Sequence, residues 1–279
     1  MIDYSLLSSA IKMAPYTLKE FRSVRKRINE SLEYKKDVLD SISNCIAPAP
    51  IAKEFIIQGG FPSDKIQVIP FGLDKKLISK KSKNIQNKSD KNHLKFGYFG
   101  QPLRRKGLHI LIDAFCQVPD EYQASLLIST TAKNITSIFH NVKRKKRALY
   151  LLSEKIIQIK LNQNDREFYS SMGDVDLAVI PTLYYECCPL VLLEILAHGT
   201  PCLVTEGLGM SHIIKPGISG NSFPPRDVNA LKAVMVEALR NPLELEKWRN
   251  NLYKPYSIKE YINKIKPLID ELVTKRTNI

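Results

Sequence analysis

The sequence has no uninterrupted apolar stretch that could cross a membrane. Its most apolar window, residues 177–197, contains two prolines and two glutamates, whereas a transmembrane helix needs about 20 predominantly apolar residues. Residues 1–21 lack a basic segment followed by an apolar core, so no secretory signal peptide is predicted. These absences favour a cytoplasmic protein. Peripheral contact with the inner face of the cell membrane stays open as an alternative.

Cysteine is scarce, and its spacing suits neither a disulfide framework nor a zinc site. The five cysteines are an odd number without a C-x-x-C pair, and the adjacent Cys187 and Cys188 would clip a metal poorly. None of the five histidines has zinc-like spacing or lies beside a nucleophile motif. The cysteine content therefore predicts a protein in a reducing compartment, and neither the cysteine nor the histidine spacing indicates a zinc site.

The common phosphate-binding signatures are also absent. No Walker sequence is present, and the segment GLGMSH at Gly207 falls short of G-x-G-x-x-G and does not follow a first strand. These absences argue against a P-loop NTPase and a typical dinucleotide-binding enzyme.

Acidic residues are few compared with basic ones. The 42 lysines and arginines against 28 aspartates and glutamates give a formal net charge of +14. Such a charge predicts an anionic partner, which could be nucleic acid, a membrane surface or a phosphorylated small molecule. Because no nucleic-acid motif accompanies the basic runs at 21–36, 75–95 and 143–147, solvated surfaces explain them better. Nucleic acid is not an expected partner.

Strand-like and helix-like segments alternate along the chain from Phe96 onwards. Predicted strands cover 96–99, 124–129, 155–161, 175–181 and 201–205; predicted helices cover 108–116, 135–153, 165–172, 189–199 and 227–239, with a helical turn at 207–214 and two helices over 242–276. This alternation predicts an α/β fold with a doubly wound parallel sheet and right-handed crossovers.

The N-terminal part predicts a smaller α/β segment. A helical region over 5–43 precedes a strand, helix and strand within 44–70. The lysine- and asparagine-rich residues 75–94 are typical of a surface linker. We therefore predict four parts: a partial α/β segment at 1–74, the linker, a Rossmann-like domain at 95–240, and C-terminal helices at 241–279 that pack back toward the N-terminal part.

Two loops are expected at one edge of the sheet, because ligands of parallel sheets bind outside the carboxyl ends of the strands. They are residues 100–107 (GQPLRRKG) and 182–188 (TLYYECC). Each leads into a helix N-terminus, where free N–H groups and the helix dipole favour an anion. Lys106, with Arg104 or Arg105, adds positive charge suited to a diphosphate. The alternative interpretation is an ordinary exposed basic turn.

Two carboxylates stand out in the second loop and the helix after it. Glu186 lies in the loop, and Glu194 lies in a helix whose other residues leave little polar face. A carboxylate in so apolar a helix usually has a partner. Alternatively, Glu186 only interacts with the helix dipole and Glu194 is an exposed position. His198 and His212 flank the same crevice, where structural roles are expected.

Together these motifs resemble the donor-binding domain of family-4 retaining glycosyltransferases of the GT-B fold. The resemblance rests on Lys106-Gly107 after a strand, on Glu186 and Glu194 with seven residues between them, on A-x-G-T-P at 197–201, and on GMSHIIKPGISGNSF from Gly209. It covers residues 95–239 well. Residues 42–74 are similar to the last unit of the family's first domain and its hinge.

The resemblance implies roles for individual residues. Glu186 would bind hydroxyls of the donor sugar, Glu194 would bind the nucleotide ribose, and Lys106 would neutralise the diphosphate leaving group; Glu186 and Lys106 are thus the catalytic candidates. The other donor-binding candidates are Gly100, Arg104, Arg105, Cys188 and Leu190. The implied partners are a nucleotide-diphosphate sugar and a glycan or lipid-linked acceptor. No metal or other cofactor is implied, because protein cations would stabilise the leaving group.

The sequence departs from the family's pattern in three places. Gln101 stands where the family often has arginine, and His212 stands where an acidic residue often occurs. The family's first domain is represented only by residues 1–74, without its acceptor-side glycine loop and histidine. We expect a retaining glycosyltransferase whose missing half is truncated or supplied by a partner chain. A non-catalytic nucleotide-sugar-binding subunit or an inactive remnant is the alternative.

Overall fold

The computed structural model describes residues 30, 37–74, 93–131, 139, 141–162, 164–207 and 209–277. The chain divides into two compact units, Met1–Val68 with Glu271–Ile279, and Ile69–Asp270. Most of the predicted helical region at 5–43 lies outside the described residues; residue 30 and residues 37–41 are helical. The predicted linker also lies outside them, apart from residues 93 and 94. The predicted four-part organisation remains a prediction.

The smaller unit contains the predicted strand, helix and strand. Strand β1 (Cys45–Ala47) pairs in parallel with β2 (Ile66–Val68), and helix α1 (Pro50–Gln58) connects them. Proline at the start of α1 is preorganised for a first helical turn. The Lys53 ammonium donates a hydrogen bond to the Ile66 carbonyl at 3.0 Å and so ties α1 to β2.

The larger unit is built on a six-stranded parallel sheet in the order β6-β5-β4-β7-β8-β9. This confirms the predicted doubly wound α/β architecture. Its strands are β3 (Gly72–Leu73), β4 (His93–Phe99), β5 (Gln123–Thr130), β6 (Ile157–Leu161), β7 (Leu177–Ile180), β8 (Cys202–Thr205), β9 (Gly220–Phe223) and β10 (Tyr256–Ser257), the last pairing with β3. Its helices are α2 (Leu108–Phe115), α3 (Lys145–Ser153), α4 (Asp165–Met172), α5 (Leu190–Ala197), α6 (Val228–Arg240) and α7 (Pro242–Asn250). The last helix, α8 (Ile258–Thr277), belongs to the larger unit up to Asp270 and to the smaller unit from Glu271.

The core lies on both faces of this sheet. All four residues of β7 and all four of β8 are buried. Because successive strand residues point to opposite faces, burial of every residue means that both faces are covered. Helix α2 contributes the apolar face predicted from its spacing, since Leu108, Leu111, Ile112 and Phe115 are all buried.

Two element starts differ from their predictions by more than two residues. Strand β4 begins at His93 rather than Phe96, and its Leu94 is buried in the core. The helix predicted over 135–153 is α3, which begins only at Lys145; residues 141–144 form a turn, and residues 132–138 and 140 lie outside the described residues. The turn is held by the buried Asp113 carboxylate, which accepts the amide hydrogens of Lys143 and Arg144 at 3.1 and 2.8 Å.

The residues before α4 and α5 show how these two helices begin. Helix α4 begins at Asp165, as predicted, and is capped by Asn164, whose side chain accepts the Glu167 amide hydrogen at 3.0 Å. Helix α5 begins at Leu190, and Pro189 occupies the preceding N-cap position with extended backbone angles.

The stretch predicted as a helical turn at 207–214 and the strand after it also differ. The described residues of 207–214 form turns, in which the amides of Ile213 and Ile214 both donate to the Met210 carbonyl. Strand β9 was not predicted. Its sequence, GNSF, lacks an apolar run, and an edge strand needs less apolar surface than a central one.

The C-terminal segment forms two helices separated near Pro255, as predicted. They are α7 and the 20-residue α8. Ile262, Ile269 and Val273 share one face of α8 and are each more than half exposed. Within the described parts of the chain, no helix combines the length and the apolar character needed to cross a bilayer.

The buried Asp113 carboxylate provides a test of what positions α3. Asp113 is 3 % exposed, and replacing it with alanine leaves two backbone N–H groups without an acceptor. We expect Asp113→Ala to lower the free energy of unfolding by about 3 kcal/mol, measured by urea denaturation.

The matched control is Asp120→Ala. The Asp120 side chain is 80 % exposed and pairs with Arg147 of α3, so its loss should cost less than about 1 kcal/mol. Equal losses for the two variants would contradict the capping role of Asp113.

Candidate functional site

The two loops predicted at one sheet edge lie directly against each other. Loop 100–107 follows β4, loop 181–189 follows β7, and these strands are neighbours in the sheet. The Leu183 amide donates to the Arg105 carbonyl at 2.8 Å. Gly107 has φ +72°, and a Cβ atom there would lie 1.7 Å from the Pro181 carbonyl oxygen. Glycine at this position therefore allows the two loops to meet.

The contact brings together the two predicted catalytic residues, Lys106 and Glu186. The Lys106 ammonium donates to Glu186 Oε1 at 2.5 Å, and their side chains are 29 % and 8 % exposed. The Thr182 hydroxyl lies 3.5 Å from the same oxygen. The Gly209 amide donates to the Glu186 main-chain carbonyl at 2.9 Å, which fixes the backbone on the other side.

Lys106 keeps its charge in this setting. Burial alone would lower the pKa of Lys106, but its hydrogen bond to Glu186 and its interaction with Tyr184 raise that pKa above its ordinary value. The ammonium lies 5.2 Å from the centre of the Tyr184 ring, and the Arg105 guanidinium lies 5.7 Å from it. Tyr184 was not predicted, and its only sequence signal is its place two residues before Glu186.

The start of the first loop is fixed by backbone contacts. Gly100 has φ +141°, and its amide donates to the Ser129 carbonyl at 3.1 Å. The Tyr98 hydroxyl donates to the Gln101 carbonyl at 2.8 Å, and burial, with the nearby Glu186 charge, raises the pKa of Tyr98. The Gln101 amide group donates to the Thr131 hydroxyl at 2.5 Å. Gln101 thus supplies no charge where the family often has arginine.

Glu194 lines a separate cleft of about 490 Å³, a volume that includes open solvent. The cleft is bordered by Gly72, Leu73, Asp74, Tyr169, Leu190, Glu194 and His198. The Tyr169 hydroxyl donates to Glu194 Oε1 at 3.1 Å and is the partner that this carboxylate needs. Burial raises the pKa of Glu194, while the bond from Tyr169 opposes this rise. Burial and the Glu194 charge raise the pKa of Tyr169 to about 12, so the phenol remains a donor.

The two histidines predicted to be structural are both partly buried. His198 Nδ1 lies 2.8 Å from the Glu194 main-chain oxygen, and His198 also lines the Glu194 cleft. Its Nε2 atom, like that of His212, is buried without a hydrogen-bond partner in the described structure. Burial lowers the pKa of His212. No group of three or more His, Cys, Asp or Glu among the described residues could hold a metal. The predicted independence from metals stays a prediction.

The remaining predicted residues lie around this edge. Leu190 opens α5 and is 49 % exposed, and the first amides of a helix have no intrahelical acceptor. Cys188 is buried, which raises the pKa of its thiol to about 11. Arg104 and Arg105 line a neighbouring depression, which Lys106 does not line. The donor contacts expected of these residues stay predictions.

The sheet order and the site define a class of protein. Counted from β4, the strand order is 3-2-1-4-5-6, the Rossmann-like arrangement, and the candidate site lies where that order reverses, between β4 and β7. The chain belongs to the glycosyl transferases group 1 family, whose sequence model matches residues 79–255.

Relatives and solved structures agree with this assignment. A putative colanic acid biosynthesis glycosyltransferase, WcaL of Salmonella typhimurium, is 25 % identical over 190 residues, which cover 65 % of this chain and 44 % of the relative. HepE from Anabaena, solved with UDP-glucose, is similar in fold with a TM-score of 0.66 and 18 % identity, covering 82 % of this chain and 64 % of HepE. Sucrose-phosphate synthase from Thermosynechococcus elongatus has a TM-score of 0.68 and 21 % identity, with 88 % and 62 % coverage.

These comparisons confirm the predicted Rossmann-like half of a GT-B fold. The chain spans less than half the length of the curated relative and less than two thirds of HepE or the synthase.

The contact of Gly107 with Pro181 can be tested by stability measurements. Gly107→Ala places a methyl group against the Pro181 carbonyl and also strains a positive φ. We expect a loss of about 3 kcal/mol in the free energy of unfolding, from backbone strain and overpacking together.

Gly217→Ala is the matched control for that variant. Gly217 has the same φ of +72°, but no atom beyond its two neighbours in the chain lies within 4 Å of the position that the alanine methyl group would take. Strain alone should cost about 1 kcal/mol there. If both variants lost the same amount, the close approach of the two loops would not be the cause.

Proposed function

We propose that this protein is a family-4 retaining glycosyltransferase that moves a sugar from a nucleotide-diphosphate sugar to a glycan or lipid-linked acceptor. The observation that carries the proposal is the Lys106–Glu186 pair, held at the switch point of the sheet in a chain of the glycosyl transferases group 1 family. The structure of HepE with UDP-glucose supports a nucleotide-sugar donor. The name of WcaL, which refers to colanic acid biosynthesis, supports a role in polysaccharide biosynthesis.

Lys106 can assist departure of the diphosphate while it remains bound to Glu186. An ammonium has three N–H donors, and one of them is directed at Glu186 Oε1. The other two can bind oxygens of the leaving diphosphate, which takes the electron pair of the bond to the anomeric carbon. A preorganised cation at developing negative charge is among the largest contributions to catalysis.

Glu186 is suited to the hydroxyl groups of the donor sugar. A carboxylate offers about four acceptor positions, and Lys106 and Thr182 both contact the Oε1 atom. Hydroxyl groups of the sugar can donate to the remaining positions. In the proposed reaction the acceptor hydroxyl attacks the face from which the diphosphate departs, and its proton leaves with that phosphate group, so the anomeric configuration is retained.

Glu194 and the start of α5 would bind the rest of the donor. The ribose hydroxyls would donate to the Glu194 carboxylate, which Tyr169 already orients. The N-terminal amides of α5 at Leu190 would face a phosphate, as helix N-termini commonly do. We place the nucleotide in the Glu194 cleft and the sugar against Glu186.

A non-catalytic nucleotide-sugar-binding subunit is the second candidate. The proposed donor residues all belong to the unit Ile69–Asp270. In this case a partner chain would supply the acceptor-binding half.

Calorimetric titration with UDP and UDP-glucose, followed by an assay of donor hydrolysis, separates these functions. Binding with hydrolysis supports the transferase. Binding without hydrolysis, unchanged by addition of a candidate partner domain, supports the subunit. Absence of binding across a panel of nucleotide sugars with different bases would contradict both proposals.

The role of Glu194 can be separated from its effect on stability. Glu194→Gln keeps the shape of the side chain but removes the charge that would accept ribose hydroxyls, so UDP should bind about tenfold more weakly by calorimetry. The pKa of Glu194 is raised in the folded state, so its ionisation destabilises the fold as pH rises from the unfolded pKa through the folded pKa. Glu194→Gln should therefore be at least as stable as the native protein at pH 7.

Glu237→Gln is the control for this variant. Glu237 is an exposed residue of α6 and does not line the Glu194 cleft. Its replacement by glutamine should leave the affinity for UDP unchanged. Unaltered UDP affinity in Glu194→Gln would remove Glu194 from the binding site.

A further inference from the structure

A strongly basic depression lies beside the proposed donor site. It has a volume of about 1290 Å³, including open solvent, and is lined by Leu103, Arg104, Arg105, His109, Ile110, Lys143, Leu183 and Arg226. Four of these eight residues carry a positive charge, a fifth is histidine, and none is acidic. The lining shares no residue with the Glu194 cleft and includes neither Lys106 nor Glu186.

The lining residues come from different parts of the chain. Arg104 and Arg105 follow β4, Lys143 lies between β5 and α3, Leu183 follows β7, and Arg226 lies between β9 and α6. These segments all follow the carboxyl ends of strands, where parallel sheets bind their ligands. The fold thus concentrates cations that the sequence separates.

The positive charges of this depression are not neutralised by neighbouring acids. In the described structure, Arg104, Lys143 and Arg226 form no ion pair with a carboxylate. The Asp113 carboxylate, which interacts with His109 of the lining, is 3 % exposed, and both of its oxygens accept backbone amides, from Lys143 and Arg144. An anion bound in the depression would therefore neutralise positive charges that the protein's own carboxylates leave unpaired in the described structure.

Two of the four cations, Arg104 and Lys143, interact with His109 of the lining. Burial lowers the pKa of His109, and the charges of Arg104 and Lys143 lower it further, while Asp113 opposes them. Both cations thus act on the same imidazole ring. Arg226 has φ +64°, a left-handed conformation that is strained for a residue other than glycine. Such strain is often found at functional positions.

We propose that this depression binds a phosphate group of a ligand other than the sugar donor, so that Arg104 and Arg105 contact this ligand rather than the donor for which the sequence predicts them. Guanidinium groups match the geometry of phosphate oxygens through paired hydrogen bonds, and lysine adds a mobile charge. Lys106, the cation assigned to the donor diphosphate, is already bonded to Glu186 and lies outside the lining. Because Arg105 and Leu183 belong to the two loops of the donor site, the bound phosphate lies next to the donor.

The second ligand is the acceptor, and this assignment rests on the proposed function. A phosphate-bearing acceptor anchored here would have its remaining groups beside Glu186. The phosphate could belong to a lipid headgroup or to a soluble sugar phosphate, since both present the same oxygens. Binding of phosphate to the depression itself does not depend on transferase activity.

Binding of inorganic pyrophosphate in the presence of saturating UDP tests the site. The full chain is titrated by calorimetry at physiological salt, as the native protein and as Lys143→Gln and Arg226→Gln. We expect each variant to bind pyrophosphate about tenfold more weakly and UDP as tightly as the native protein. Arg226→Lys keeps the positive charge but loses the paired N–H donors of the guanidinium group, so it should bind pyrophosphate more tightly than Arg226→Gln and more weakly than the native protein.

Lys146→Gln is the matched control, because Lys146 is exposed in the same basic run as Lys143 but does not line the depression. Its pyrophosphate affinity should change less than about twofold. An equal loss in Lys146→Gln, or displacement of all pyrophosphate by UDP, would overturn the proposal. If UDP does not bind at all, the donor assignment fails, and the comparison of Lys143→Gln with Lys146→Gln still decides the phosphate site.

Two further arms identify the source of the phosphate. Flotation with phosphatidylcholine vesicles containing phosphatidic acid tests a lipid, and titration with glucose 1-phosphate tests a soluble ester. Loss of either interaction in Lys143→Gln and Arg226→Gln, but not in Lys146→Gln, identifies the source. Binding of neither ligand would overturn the proposal that the depression serves a phosphate-bearing substrate.

Discussion

The ion pair between Lys106 and Glu186 is the interaction on which the candidate site depends. Removing two charges from water is costly, and a partly buried pair is favourable only with good geometry and further hydrogen bonds. Thr182 approaches the same carboxylate oxygen, and Gly209 holds the Glu186 backbone. The pair joins loops after β4 and β7, between which the strand order reverses. The pair therefore lies at the crevice where sheets of this topology bind their ligands.

Much of the sheet could be predicted from the sequence because its central strands are apolar on both faces. The segments LAVI and CLVT are buried throughout and carry a strong local signal. The edge strand GNSF carries no such signal. The late start of α3 was not predictable either, since Asp113, a residue distant in the chain, satisfies the amides of Lys143 and Arg144. A hydrogen bond between residues so far apart in the chain cannot be predicted from the local sequence pattern.

In the candidate site, too, some residues could be predicted from the sequence and others could not. Lys106 and Glu186 were predicted from motifs, and the structure brings them together. Tyr184 and Tyr169 were not predicted, because their roles depend on which side chains packing places beside them. Arg104 to Lys106 form one 3-10 turn, in which successive side chains point about 120° apart. This geometry explains why Arg104 and Arg105 line a depression that Lys106 does not line.

At Gly107 and Gly209 the main chain approaches neighbouring carbonyl groups closely. These contacts hold the loops in place, whereas other side chains of the loops face the rim of the site. A Cβ atom would lie 1.7 Å from a carbonyl oxygen at Gly107 and 2.2 Å from one at Gly209, so main-chain contacts limit how closely the loops approach. The side chains that face outward from these loops, such as Gln101 and the exposed Tyr185, do not hold that spacing. Redesign of substrate range can therefore proceed at the rim of the site while its frame remains intact.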